Sequence, residues 1–138
     1  MKKIIFTTLI FITTNLVFAQ KHNIVNASIA LKNKNYTEAK QYIDEAFANK
    51  TTSNEPKMWN YRSKIYLNIA ISHSEIDADA IFKATEAYTK CMQTDKKGRI
   101  IVKKWTTKED VLTGLMQCAN KLFNLAVEAY QEGRFKES

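Results

Sequence analysis

Apolar residues recur three or four positions apart in five stretches of the chain, and short polar segments separate those stretches. Residues i, i+3, i+4 and i+7 share one face of a helix, so the pattern predicts five amphipathic helices. The first is expected from about Asn23 to Asn33. Thr37 stands where it can cap the second, whose stripe is Ala39, Tyr42, Ile43, Ala46 and Phe47. Asn49 to Asn54 is a polar loop. Pro56 then suits the first turn of a third helix, where a missing N–H costs little, and that helix carries Trp59 and runs to about Ala70. Ser74 and Asp77 have the spacing of a capping box ahead of a fourth helix, on which Ala80, Ile81, Ala84, Tyr88, Cys91 and Met92 keep one face apolar as far as Thr94. Thr106 and Glu109 repeat that spacing before the fifth and longest helix. Its stripe, Val111, Leu112, Leu115, Ala119, Leu122, Phe123, Ala126 and Tyr130, continues for about five turns. With one proline and three glycines there are few chain breakers. The expected fold is all-α, made of antiparallel helix hairpins.

Large, small and aromatic side chains alternate most clearly in the middle of the chain. Trp59, Ser63 and Tyr66 lie on one face of the third helix, and Ala84, Tyr88 and Cys91 on a face of the fourth. This arrangement resembles the tetratricopeptide repeat, whose signature places Trp, Leu-Gly and Tyr on a first helix and Ala and Phe on a second. Here Tyr88 takes the place of the Phe, Cys91 that of a small residue, and Arg62-Ser63 that of Leu-Gly. Ala27, Tyr36, Ala39, Ile43 and Ala46 form a weaker copy upstream; Leu122, Leu125, Ala126 and Tyr130, with the turn from Gly133 to Ser138, begin another downstream. The equivalent positions Ala39, Ala84 and Ser138 are 45 and 54 residues apart, against a usual period of about 34, so the connections are lengthened. The resemblance implies an α-solenoid of about five helices with an incomplete third repeat. A sixth helix is expected beyond Ser138; the rival expectation is that the fifth helix caps the array. The apolar arc of Leu122, Phe123, Val127 and Tyr130 favours a chain truncated at its C-terminus, because a cap should be polar outside.

In that family the first helices of successive repeats line a groove that holds an extended peptide. The matching positions in this chain are Ser28 and Lys32, then Asn60, Lys64 and Asn68, then Asn124 and Gln131. Their amide and ammonium groups suit a peptide backbone or a carboxylate. The opposing reading is an ordinary solvated helix face.

The N-terminus changes the setting. Lys2 and Lys3 precede an apolar run from Ile4 to Phe18, and Val17-Phe18-Ala19 forms a small-residue cleavage box before Gln20. The run of 15 residues is short of the roughly 20 that span a bilayer. Residues 1–19 therefore read as an export signal and 20–138 as one helical repeat domain, periplasmic or secreted; the opposing reading is an uncleaved membrane anchor, which the small-residue exit fits less well. Removal of Lys2 and Lys3 lowers the net charge from +7 to +5. The excess is concentrated in Lys96, Lys97, Arg99, Lys103, Lys104 and Lys108, interleaved with Ile100, Ile101, Val102 and Trp105. A basic patch with an aromatic residue points to nucleic acid, but export argues for an acidic protein, a polyanionic glycan or an anionic lipid surface. The opposing reading has Ile100 to Trp105 tucked against the fifth helix and the lysines solvated.

Catalytic chemistry finds no constellation. His22 and His73 stand apart from each other and from any metal-ligand spacing, and no Ser-His-Asp order or Gly-rich phosphate loop occurs. Asp77 and Asp79 read as first-turn acids of the fourth helix rather than a cation loop. Cys91 and Cys118 both lie on apolar stripes, as core thiols or as a bridge between the fourth and fifth helices after export. Asn26, Asn35 and Asn49 carry glycosylation spacing that matters only in a glycosylating host. The expected function is a non-catalytic scaffold for a protein or peptide partner, with no cofactor or metal. The alternatives are the helical front of a longer exported enzyme or receptor, and an anion-binding surface protein.

Overall fold

A computed structural model of the chain describes residues 22–133. The expected export signal, and the expected turn as far as it runs past Gly133, lie outside the described residues. Five helices occur among those described: α1 (22–32), α2 (Tyr36–Ala48), α3 (Pro56–Ser72), α4 (Ala80–Cys91) and α5 (Lys108–Gln131). The fold is all-α, as expected, and among the described residues the only pairing of extended backbone is an isolated antiparallel bridge between Thr94 and Ile100. None of these helices is long and apolar enough to cross a membrane. The chain divides into two compact units, one ending at Met58 and the other beginning at Trp59.

In the first unit α1 and α2 form a hairpin. Its turn is closed by Lys34 N–H donating to Leu31 O at 3.0 Å and Asn35 N–H to Ala30 O at 2.9 Å, the paired bonds of a Schellman motif. Lys34 occupies the left-handed position (φ 58°), where a side chain is strained. Asn35, not Thr37, caps α2: its Oδ1 accepts from Glu38 N–H at 3.3 Å while its Nδ2 donates to the Glu38 carboxylate at 2.8 Å. Ile24, Ala27, Ala30, Ala39, Ile43 and Ala46 are buried, whereas Tyr42 is half-buried and Phe47 exposed, so the small residues of the expected stripe make the contact. Thr52 closes the C-terminal end of α2 by donating its hydroxyl to Ala46 O at 2.6 Å.

In the second unit α3, α4 and α5 run up, down and up. Lys90 lies over the Trp59 ring and Lys83 over the Tyr66 ring, pairing the start of α3 with the end of α4. Trp59 and Tyr66 are core residues, as the alternation of sizes implied. Ser63 is buried and donates its hydroxyl to Asn60 O at 2.9 Å. The start of α4 departs from expectation. Ser74 lies in a turn, Asp79 is the N-cap without a side-chain cap bond, and α4 has no acid in its first turn. Asp77 fastens the approach instead, accepting from Asp79 N–H at 3.0 Å and pairing with Lys83 at 2.6 Å. The helix stops at Cys91, short of Thr94. The capping box of α5 is displaced by one residue from Thr106 and Glu109: Thr107 accepts from Asp110 N–H at 3.1 Å and Asp110 accepts from Thr107 N–H at 3.3 Å.

The face of α5 that α4 covers also differs from the expected stripe. Val111, Gly114 and Cys118 are its buried residues. Gly114 permits the contact, for a Cβ there would overlap the far edge of the Tyr88 ring. Of the residues expected to complete a third repeat, Leu122 is half-buried while Ala126 and Tyr130 are exposed. Both cysteines are buried and free. Burial pushes the Cys91 thiol up to about 11 and raises that of Cys118, which suits inert core side chains.

Two substitutions check this packing. Lys34→Gly relieves the left-handed position and is expected to raise the unfolding free energy by up to about 1 kcal/mol in urea titrations. Gly114→Ala gains about 1 kcal/mol of helix propensity but drives a methyl group into a phenol ring that is only 5 % exposed and has nowhere to swing. The overpacking, on the order of 1–3 kcal/mol, prevails and the variant is less stable; in a Tyr88→Ala background the same change becomes neutral or stabilising.

Candidate functional site

On the second unit α3 and α5 run in the same direction on one side of α4, and a groove of about 350 Å³ opens between them. Ile71 of α3 supplies its apolar wall, and Gln117, Asn120, Lys121 and Asn124 of α5 supply its polar one. The polar residues fall three or four positions apart, so a single helix face presents three amides and an ammonium. Asn68 lies one turn before Ile71 on α3. It is exposed, and its Nδ2 donates to Lys64 O at 2.8 Å. Lys64, a further turn back, is half-buried, and its charge helps to hold the Asp110 carboxyl below its ordinary range, after the larger effect of the Thr107 hydrogen bonds. An apolar side chain facing a row of amides suits an extended peptide: the amides satisfy backbone groups and Ile71 packs against one side chain of the ligand.

The groove residues expected from sequence are placed unevenly. Asn124 lines this groove, and Lys64 and Asn68 lie on the same face of α3 as Ile71. Gln131 is exposed two turns beyond Asn124. Asn60 is a correction: it is 1 % exposed, and its Oδ1 is buried with no hydrogen-bond partner. The reason is that Asn60 lies to the side of the partly open face carrying Lys57, Tyr61, Lys64 and Asn68, which are half-buried or exposed, and toward the sector of Trp59 and Ser63, which are buried with it. Ser28 and Lys32 belong to the first unit; Ser28 donates its hydroxyl to Val25 O at 2.7 Å and Lys32 is exposed. Gln117, Asn120 and Lys121 were missing from the expected set, although their spacing relative to Asn124 was available to find them.

The basic connection forms a second concavity, about 390 Å³, lined by Met92, Thr94, Arg99, Ile100, Lys103 and, at the start of α5, Thr107 and Lys108. Ile100 and Val102 are buried and the six cations are exposed, in line with a solvated charge run; Trp105, expected to tuck inward, is instead 37 % exposed. Asp95 organises the segment. Its Oδ1 accepts the N–H groups of Lys97 (2.8 Å) and Arg99 (3.0 Å), and its Oδ2 accepts from the Arg99 guanidinium at 2.8 and 3.0 Å, with Lys103 at 3.9 Å. Two of the six cations thus already lie beside an acid. Among the described residues no cluster of His, Cys, Asp and Glu is placed to hold a metal ion.

No protein family, characterised protein or solved structure matches the chain. Function must therefore be argued from these residues.

The Arg99 hydrogen bonds, with the backbone N–H groups after them, hold the Asp95 carboxyl down at about 2. A depressed folded value means that the pairing contributes above the ordinary carboxylate pKa of about 3.9 and disappears only as pH falls through about 2. Side-chain carboxyl NMR is expected to give a midpoint near 2 for Asp95, moving up toward the ordinary value in Arg99→Ala.

Proposed function

We propose that this chain is an exported helical-repeat scaffold of tetratricopeptide type that binds an extended segment of a partner protein and performs no catalysis. The observation that carries this reading is the groove between α3 and α5, in which Gln117, Asn120 and Asn124 face the apolar Ile71 with Lys121 beside them. Amides in register along one helix can pair with a peptide backbone without demanding a sequence, and Lys121 with Lys64 favours a carboxylate on the ligand. The export pattern of residues 1–19 puts the partner in the envelope or outside the cell. It also makes nucleic acid an unsuitable partner for the basic connection.

A second reading has support from the cleft at Arg99, Lys103 and Lys108, which suits a polyanion. The Asp95 carboxylate, paired with Arg99 and within 3.9 Å of Lys103, offsets part of that positive charge and makes it the weaker of the two.

Selection from a displayed library of unstructured peptides tests the groove. Wild type is expected to enrich extended sequences bearing an acidic residue, and Asn68→Ala/Gln117→Ala/Asn124→Ala, with an unchanged helical spectrum, to bind them at least tenfold more weakly. Equal binding by the triple variant, or capture that follows the basic connection and fades with salt, would displace the groove in favour of the second reading.

A further inference from the structure

The surface of α5 turned away from both α4 and the groove is apolar from end to end. Leu112, Met116, Ala119, Phe123, Ala126 and Tyr130 are spaced four, three, four, three and four residues apart, the repeat of a coiled-coil seam. They are exposed: Met116 by 65 %, Phe123 by 68 % and Tyr130 by 70 %. The only charged residues between Leu112 and Tyr130 are Lys121 and Glu128, and both line a cleft on the other side of the helix with Ala70 and Ile81. Together with Val127 at its border, the stripe exposes on the order of 700 Å² of largely apolar surface, by ordinary side-chain areas. That exceeds the largest apolar patch of a typical soluble monomer, about 300–600 Å², and approaches the roughly 800 Å² that each partner contributes to a stable interface.

We infer that this stripe is the seam of a homodimer in which α5 packs antiparallel against α5 of a second copy. The order of side-chain sizes selects both the occupant and the direction. The seam has one row of small or moderate residues, Leu112, Ala119 and Ala126, and one row of large ones, Met116, Phe123 and Tyr130. Antiparallel pairing about position 121 sets Leu112 opposite Tyr130, Met116 opposite Ala126 and Ala119 opposite Phe123, so that each contact joins a larger side chain to a smaller one. Parallel pairing sets each residue against its own copy. Ala119 and Ala126 would then leave voids, and Phe123 and Tyr130 would collide with their counterparts. The antiparallel arrangement also sets the helix dipoles head to tail. A twofold interface must be complementary to itself, and the size order of this stripe is.

Sedimentation of the protein purified in its naturally processed form tests the inference. A monomer–dimer equilibrium with a dissociation constant in the micromolar range is expected. Phe123→Asp, at an exposed position, should shift it to monomer by at least a hundredfold with an unchanged thermal midpoint of the monomer, and Met116→Lys should do likewise. Ala119→Phe should weaken association by crowding Phe123 of the second copy; combined with Phe123→Ala, which exchanges the two sizes, it should restore it. A wild-type chain that stays monomeric at high micromolar concentration overturns the proposal and leaves the stripe to a different cover, such as a further helix. A dimer indifferent to Phe123→Asp and Met116→Lys overturns it equally.

Discussion

The second unit depends on one buried phenol. The Tyr88 ring lies against α5 where Gly114 has no side chain, and its distal end lies beside Ser63 of α3, so a single residue of α4 fixes the distance to both neighbours. Burial, reinforced by the proximity of Cys118, pushes its hydroxyl up to about 12, and Ser63 offsets only part of that rise. The phenol therefore stays neutral at any physiological pH, and the contact carries no charge that has to be solvated. Cys91 and Cys118 fill the space around it as small apolar side chains, and their raised thiol values reflect the same dry environment. Because rings and small residues interlock here, the spacing between α3 and α5 is set by packing, and with it the width of the groove that lies between them.

The geometry of α5 follows from that contact. Once Val111, Gly114 and Cys118 are committed to α4, the rotation of the helix is fixed, and every other residue takes its direction from the period of 3.6. One sector presents Gln117, Asn120 and Asn124 to the groove; the next presents the apolar seam from Leu112 to Tyr130. Displacing the α4 contact by one residue would rotate the helix by about 100° and bring apolar residues into the groove. The location of the amide row is thus a consequence of where glycine occurs, not of any property of the amides themselves.

Much of this was legible in the sequence. The five helices, the core roles of Trp59 and Tyr66 and the place of Pro56 in the first turn of α3 follow from period and residue type, and the structure agrees. Caps were less legible because Thr106 and Thr107 are adjacent and both are good caps; only the fold of the preceding connection, with Val102 buried, decides that Thr107 faces the helix. The polar row on α3 misled at Asn60, since a polar residue just inside the edge of a buried face looks the same in sequence as one on the wet face beside it. On α5 the difficulty was different. Its sequence carries two candidate buried faces, a broad one of large residues and a narrow one containing Val111, Gly114 and Cys118, and hydrophobic period favours the broad one. The narrow face is the buried one because Tyr88 needs a glycine opposite it, and that requirement is visible only when the two helices are brought together.

The groove and the seam occupy neighbouring sectors of one helix, yet they do not compete. Asn120 and Val127 mark the boundary, and a second α5 seated on Met116, Ala119 and Phe123 lies on the far side of it from Ile71. Twofold pairing would leave each groove open and, because the two α5 helices run in opposite directions, would set the two grooves antiparallel. On the proposed function, a scaffold of that form would engage two copies of a partner segment, or two segments of one symmetric partner, and the second engagement would be intramolecular. Weak individual contacts of the amide kind, each worth only about 1 kcal/mol net, become sufficient under that arrangement. This offers a physical reason for a polar, unselective groove and an apolar seam to reside on the same helix.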